Sequence, residues 1–117
     1  MNYKTIRIED IGVTAELAAY SPEQGVREWH VILHVEPRGQ SFVEQMQRIY
    51  AAEDQLTQMS GFEGAQFVLK RYFLSDSTNQ QPLMRQEPGV AISVIQQQPL
   101  DGSKIAAWLY LVSDTDI

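Results

Sequence analysis

The segment Ile105-Ala106-Ala107-Trp108-Leu109-Tyr110-Leu111-Val112 constrains the fold most, because it is apolar at every position. A strand sends alternate side chains to opposite faces, so both faces of any sheet that holds this segment need cover. An antiparallel sheet with one wet face would show clean alternation instead. The rest of the chain must therefore be read for what could supply that cover.

Extended segments dominate. Ile6 and Ile8 alternate with Thr5, Arg7 and Glu9, and Val13, Ala15, Leu17 and Ala19 alternate with Thr14, Glu16 and Ala18. With Asp10-Ile11-Gly12 as turn chemistry between them, this predicts a hairpin. Ser21-Pro22-Glu23-Gln24-Gly25 reads as a loop. Glu28 to Val35 is a third strand, with Trp29, Val31, Leu33 and Val35 on one face and His30, Ile32 and His34 on the other, ended by Pro37. The period then changes: Phe42, Met46, Ile49, Tyr50, Leu56 and Met59 fall at threes and fours, which predicts an amphipathic helix. Ser41, three residues before Glu44, matches a capping box, and Gly61 is placed for a left-handed C-cap.

Gln66 to Leu74 is rich in aromatic and β-branched residues and reads as a strand closed by Ser75-Asp76. Thr78 to Gln86, with Pro82 near its start, is a short helix or an irregular connection. Val90 to Gln97 and Ile105 to Val112 are two more strands, and Asp101-Gly102 between them predicts that they form a hairpin. The expectation is an α+β fold over residues 1–117: a six-stranded, mostly antiparallel mixed sheet with one long and one short helix on one face. Those helices cover one side only, so the other is expected to be buried by identical subunits or by a second domain of a longer chain.

Composition narrows the function classes. Fifteen acidic residues against 9 basic ones give a net charge of -6 across 117 residues. Such a surface supplies no counterion-release term, which argues against nucleic acid as a partner. The chain has no cysteine, which removes disulfides, thiolate metal sites and cysteine nucleophiles together. No signal-peptide core and no apolar run near ~18 residues is present, so a membrane partner is not expected and the location expected is the cytoplasm.

Few residues invite chemistry. His30 and His34 would bind one metal if helical, but on a strand they stand ~13 Å apart, and half-buried or interface imidazoles are the simpler reading. Glu9-Asp10 in a turn and Glu53-Asp54 on the outer face of the helix read as solvating charges. Asp114 and Asp116 fall in a short polar tail expected to be disordered. No P-loop, dinucleotide fingerprint, EF-hand, zinc motif or Gly-x-Ser-x-Gly occurs, so no cofactor and no metal is expected. Ser41 is explained as a cap and Ser93 as a packing residue. Trp29, Tyr72, Phe73, Trp108 and Tyr110 read as core and interface rings. The alternative is a hydrophobic cleft between subunits with Lys70, Arg71 or Arg85 anchoring an anion.

The element order, the strand AQFVLKRYFLSD and the closing VAISVIQQQPLDGSKIAAWLYL together resemble the YjgF/RidA family, also called the L-PSP endoribonuclease or translation-inhibitor family, most clearly over residues 42–112. The resemblance implies a chorismate-mutase-like fold, a homotrimer, and ligand clefts between subunits that take a small carboxylate. Active members hydrolyse enamine or imine intermediates with an Arg just before the first strand of the closing pair and a Glu in the last strand. Here Gly89 or Val90 stands at the Arg position and Ala106 or Trp108 at the Glu position. No Arg follows Arg85 and no Glu follows Glu87, so both the carboxylate clamp and the water-positioning base are missing. The expectation is a non-catalytic structural or ligand-binding domain. The alternative is a deaminase with a rearranged site built from Arg85, Glu87 and Tyr110, and ribonuclease or translation-inhibitor activity is the least favoured reading.

Overall fold

The computed structural model describes residues 2–23, 26–36, 41–59, 61–99 and 102–114. Gln24-Gly25, Pro37, Leu100-Asp101 and Asp116 lie outside the described residues. The chain is α+β, with six strands: β1 (Asn2–Ile8), β2 (Val13–Glu23), β3 (Val26–Val35), β4 (Gln66–Leu74), β5 (Ala91–Gln96) and β6 (Ile105–Asp114). Two helices, α1 (Phe42–Leu56) and α2 (Ser77–Gln80), join them. The sheet order is β1-β2-β3-β6-β4-β5. All neighbours run antiparallel except β4 and β5, which are parallel.

The β1–β2 hairpin turns at Gly12, whose φ of 63° is a conformation glycine adopts without steric cost. β2 runs on through Ser21 to Glu23, where a loop is predicted, and absorbs the change as a register shift between Tyr20 and Glu23. Asp114 pairs with Val26 at the end of β6 rather than trailing in a tail. The predicted hairpin between β5 and β6 does not form. β6 is inserted between β3 and β4, and β5 crosses over to pair with β4 on the sheet's edge. Asp-Gly chemistry sets only a local bend, here at Gly102 with φ 84°, and cannot tell a hairpin from a longer return.

Helix α1 starts as its sequence predicts: the Ser41 side chain accepts from the Glu44 N–H at 3.2 Å, and the Glu44 carboxylate accepts from the Ser41 backbone. It ends earlier than predicted, with Thr57 as the C-cap. Gly61, at φ 97°, instead shapes the turn beyond, where its N–H donates to the Glu63 carboxylate at 3.0 Å. That bond holds the Glu63 carboxyl below the ordinary carboxylate value.

The helix lies across β2, β3 and β6. It buries Phe42, Met46, Ile49, Ala52 and Leu56 against Val13, Ala15, Val31, Leu33, Ala107, Leu109 and Leu111. Gln45, also buried, fastens the helix to the start of β6 by accepting the Lys104 N–H at 2.7 Å. A bulge in β4 decides which side chains meet this core. Phe67 and Leu69 pair with successive residues of β6, leaving Val68 as an extra residue. The insertion flips the alternation, so Lys70, Tyr72 and Leu74 face the helix and Arg71 and Phe73 face away.

Candidate functional site

The two sides of the sheet carry different chemistry. On the helix side Trp29 is in the core, stacked on Phe62 at 5.3 Å, and Tyr72 is fully buried. On the other side no helix packs among the described residues. That open face displays Tyr3, Glu16, His30, Ile32, His34, Phe73, Trp108 and Tyr110, by strand alternation and register. Ile32 at its centre is 39% exposed. The His30 ring stacks on both Tyr110 (4.9 Å) and Trp108 (5.7 Å), and the Arg71 guanidinium sits 5.1 Å over Trp108. Tyr110 donates a short hydrogen bond to Glu28, which pushes the phenol above its ordinary value. His34 Nε2 lies 3.2 Å from Glu16 Oε2. Among the described residues no three His, Asp or Glu groups come together to hold a metal.

Two hollows flank Ile32 on this face. One, of about 350 Å³, is lined by Tyr3, Glu16, His30 and Trp108; the other, of about 300 Å³, by His34, Phe73, Pro99 and Ala106. The positions aligned with the family's cleft thus separate. Ala106 and Trp108 border different hollows. Gly89 and Val90 lead into β5, whose Ala91 pairs with Leu69, the partner of Tyr110, and so lie two strands away.

The second cluster lies on the helix side and was not legible as a site. Glu53, expected on the outer face of α1, is fully buried. It falls four residues after Ile49 and three before Leu56, on the apolar stripe itself, and that spacing was the signal available. Lys70 reaches it from β4: its ammonium donates to Glu53 Oε1 at 2.7 Å and to Glu87 Oε1 at 2.6 Å, under the Phe67 ring at 4.2 Å. Tyr72 donates to Glu53 Oε2 at 2.6 Å. Desolvation raises the Glu53 carboxyl above the ordinary value despite the attraction of Lys70, and burial, reinforced by Glu53, pushes Tyr72 far up.

Arg85 closes the cluster from the connection between β4 and β5. Its Nη2 lies 3.3 Å from Glu53 Oε1, 3.4 Å from Asp54 Oδ1 and 3.5 Å from Glu87 Oε1. Its guanidinium stacks on Tyr50 at 4.0 Å, and its backbone N–H donates to the Tyr50 hydroxyl at 3.2 Å. Burial works against the charge on Arg85, but Glu87, Glu53 and Asp54 together raise its pKa; desolvation likewise raises that of Tyr50. Arg85 and Glu87, two members of the rearranged site considered from sequence, therefore meet. Tyr110, the third, is on the open face. Of the other two cationic anchors considered, Lys70 is enclosed in this cluster and Arg71 stands on the open face.

Beside Arg85 and Glu87 a groove of about 600 Å³ runs between α2 and β5, bordered by Thr78, Met84, Ile92 and Val94. No helix among the described residues is long and apolar enough to cross a membrane. No family profile and no curated protein matches the sequence. A solved structure described as "a putative translation initiation inhibitor from Salmonella typhimurium" does match in three dimensions, with a TM-score of 0.57 and 13% sequence identity over 97% of each chain. That likeness extends over the whole arrangement of strands and helices, and it shows that this chain shares that protein's fold.

Proposed function

We propose that this chain is a YjgF/RidA-like module that works by associating through its open sheet face, as a homotrimer or against a second domain, and carries no deaminase activity. The observation that carries this reading is the open face itself. Ile32, Phe73, Trp108 and Tyr110 form an apolar surface with no element over it among the described residues, and such patches mark interaction sites. The stacked His30–Trp108–Tyr110 ladder suits an interface, because aromatic rings give large contact area at small entropic cost. Against catalysis stands the chemistry at the family positions: Gly89, Val90, Ala106 and Trp108 supply neither guanidinium nor carboxylate.

Light scattering tests association. The expected mass is three times that of one chain, and Ile32→Glu is expected to give a monomer, since an exposed position accepts the charge in the monomer but not in a packed interface. A monomeric parent chain at tens of micromolar would overturn the reading. Ammonia release from freshly generated 2-aminoacrylate is expected to stay at background. Release that disappears in Arg85→Ala would establish the deaminase alternative instead.

A further inference from the structure

The open face carries its charges unevenly. Strand register puts Glu16, Ile32, Trp108, Arg71 and Ser93 in one row across β2, β3, β6, β4 and β5. Three strand spacings separate Glu16 from Arg71, so the two stand ~14 Å apart with the apolar Ile32 and Trp108 between them. Neither finds an opposite fixed charge within the chain. Glu16 is exposed and meets His34 through Oε2, while its Oε1 makes no hydrogen bond among the described residues. Arg71 lies over the Trp108 ring, forms no ion pair among the described residues, and has its Nε buried without a partner. The other charges on this face are matched: Glu28 accepts from the Tyr110 hydroxyl, and Arg7 is paired with Glu36. A buried guanidinium nitrogen without an acceptor is uncommon and marks a place where an acceptor belongs.

We infer that the occupant of this face is a second copy of the chain, seated head to tail, with Arg71 of one copy against Glu16 of the next. This rests on the proposed association and specifies its partner and register. A copy of the chain brings both the missing cation and the missing carboxylate, set the same ~14 Å apart across the same apolar span, whereas a domain of different sequence would have to reproduce that spacing independently. The hollow of about 350 Å³ beside Glu16, walled by Tyr3, His30 and Trp108, gives an incoming arginine room to reach the carboxylate. Lys4 also borders the hollow, but its register with the buried Leu17 sends its side chain towards the helix side of the sheet. A head-to-tail contact repeated around an axis closes into a ring. In a ring of three, each copy gives its β4 half to one neighbour and its β2 half to the other. The apolar span between the charges supplies contact area, and the charge match fixes which halves meet.

Charge reversal tests the pair, read by light scattering over a dilution series at pH 8 with circular dichroism as the check on folding. Glu16→Arg and Arg71→Glu each place like charges together and are each expected to raise the concentration for half-assembly at least tenfold. The double variant Glu16→Arg/Arg71→Glu restores opposite charges at every contact of the ring and is expected to assemble at least tenfold more readily than either single variant. Should a reversal unfold the chain, Glu16→Gln and Arg71→Gln serve instead, each expected to weaken assembly at least threefold. A parent that assembles while the single variants match it, or a double variant no better than the singles, would overturn the pair and leave association itself standing. A monomeric parent would overturn the inference together with the self-association it rests on, in favour of a partner of different sequence.

Discussion

Replacing Lys70 by Met isolates the buried charge cluster. The ammonium is enclosed, with its side chain 2% exposed, and it bridges Glu53, 0% exposed, and Glu87, 19% exposed. Methionine fills similar space but leaves Glu53 and Glu87 with the partly exposed Arg85, at 3.3 and 3.5 Å, in place of an enclosed cation between them. Removing one partner of a buried ion pair costs ~3–5 kcal/mol, because an uncompensated charge remains in the interior. That is a large share of a typical total of ~5–15 kcal/mol. With a urea slope of ~1–3 kcal/mol/M, the unfolding midpoint should fall by about 1 M or more at neutral pH.

The loss should also depend on pH. Glu53 has its carboxyl raised in the folded chain, by desolvation first and against Lys70. A folded value above the unfolded one means that the folded chain holds the proton longer. The stability this contributes is complete below the unfolded value and is lost as pH rises through the folded value. Deleting Lys70 removes the strongest influence opposing that rise, so in Lys70→Met Glu53 stays protonated to higher pH. The variant should therefore be least impaired in the acidic range, where Glu53 is neutral, and increasingly impaired towards neutral pH. Adding Glu53→Gln to Lys70→Met should recover part of the loss at neutral pH, since the amide carbonyl still accepts from Tyr72 and carries no charge. A neutral-pH loss below ~1 kcal/mol, or one independent of pH, would falsify the account of Lys70 as counter-ion to a buried carboxylate.

Two further outcomes are open to simple measurement. Ser41→Ala removes one half of the capping box and should lower stability by about 1 kcal/mol by chemical denaturation, whereas Ser41→Gly should cost only a few tenths. Arg85→Ala removes partly exposed ion pairs and the stack on Tyr50. Discounted for solvent screening, the global loss should be about 1 kcal/mol, while amide exchange in residues 77–87 accelerates more than in β3 or β6.

Much of this architecture is written locally. β4 has the bounds its aromatic and β-branched run predicts, and α1 begins at the Ser41–Glu44 box. The two faces of β3 are read correctly because the residues alternate without interruption. What fails is non-local. The partner of β5 is chosen by how β6 satisfies both β3 and β4, and an Asp-Gly turn carries no information about that choice. In β4 the bulge at Val68 reverses the facing of every later residue, so a strict alternation assigns Lys70 and Tyr72 to the wrong side. The charge of Glu53 suggests an outward position, whereas its spacing from Ile49 and Leu56 marks it as inward, and only a cation arriving from another element makes that tolerable. The site is accordingly less legible than the fold, since it joins residues 53, 70, 85 and 87 across two flips that no single segment displays.

The placement of β6 sets the order in which the molecule can be completed during synthesis. The first three strands can form a meander as soon as they emerge, and β4 with β5 can form a parallel pair, but neither half bonds directly to the other. The strand that joins them is translated after both, and its pairings, such as Glu28 with Val112, span most of the chain. Loop closure over that distance must precede the contacts that reward it, so folding is expected to be slow for a chain of this length. Until β6 arrives, the facing edges of β3 and β4 are unpaired and available to other chains. A nascent copy is thus most prone to aggregation in the interval before its central strand is supplied.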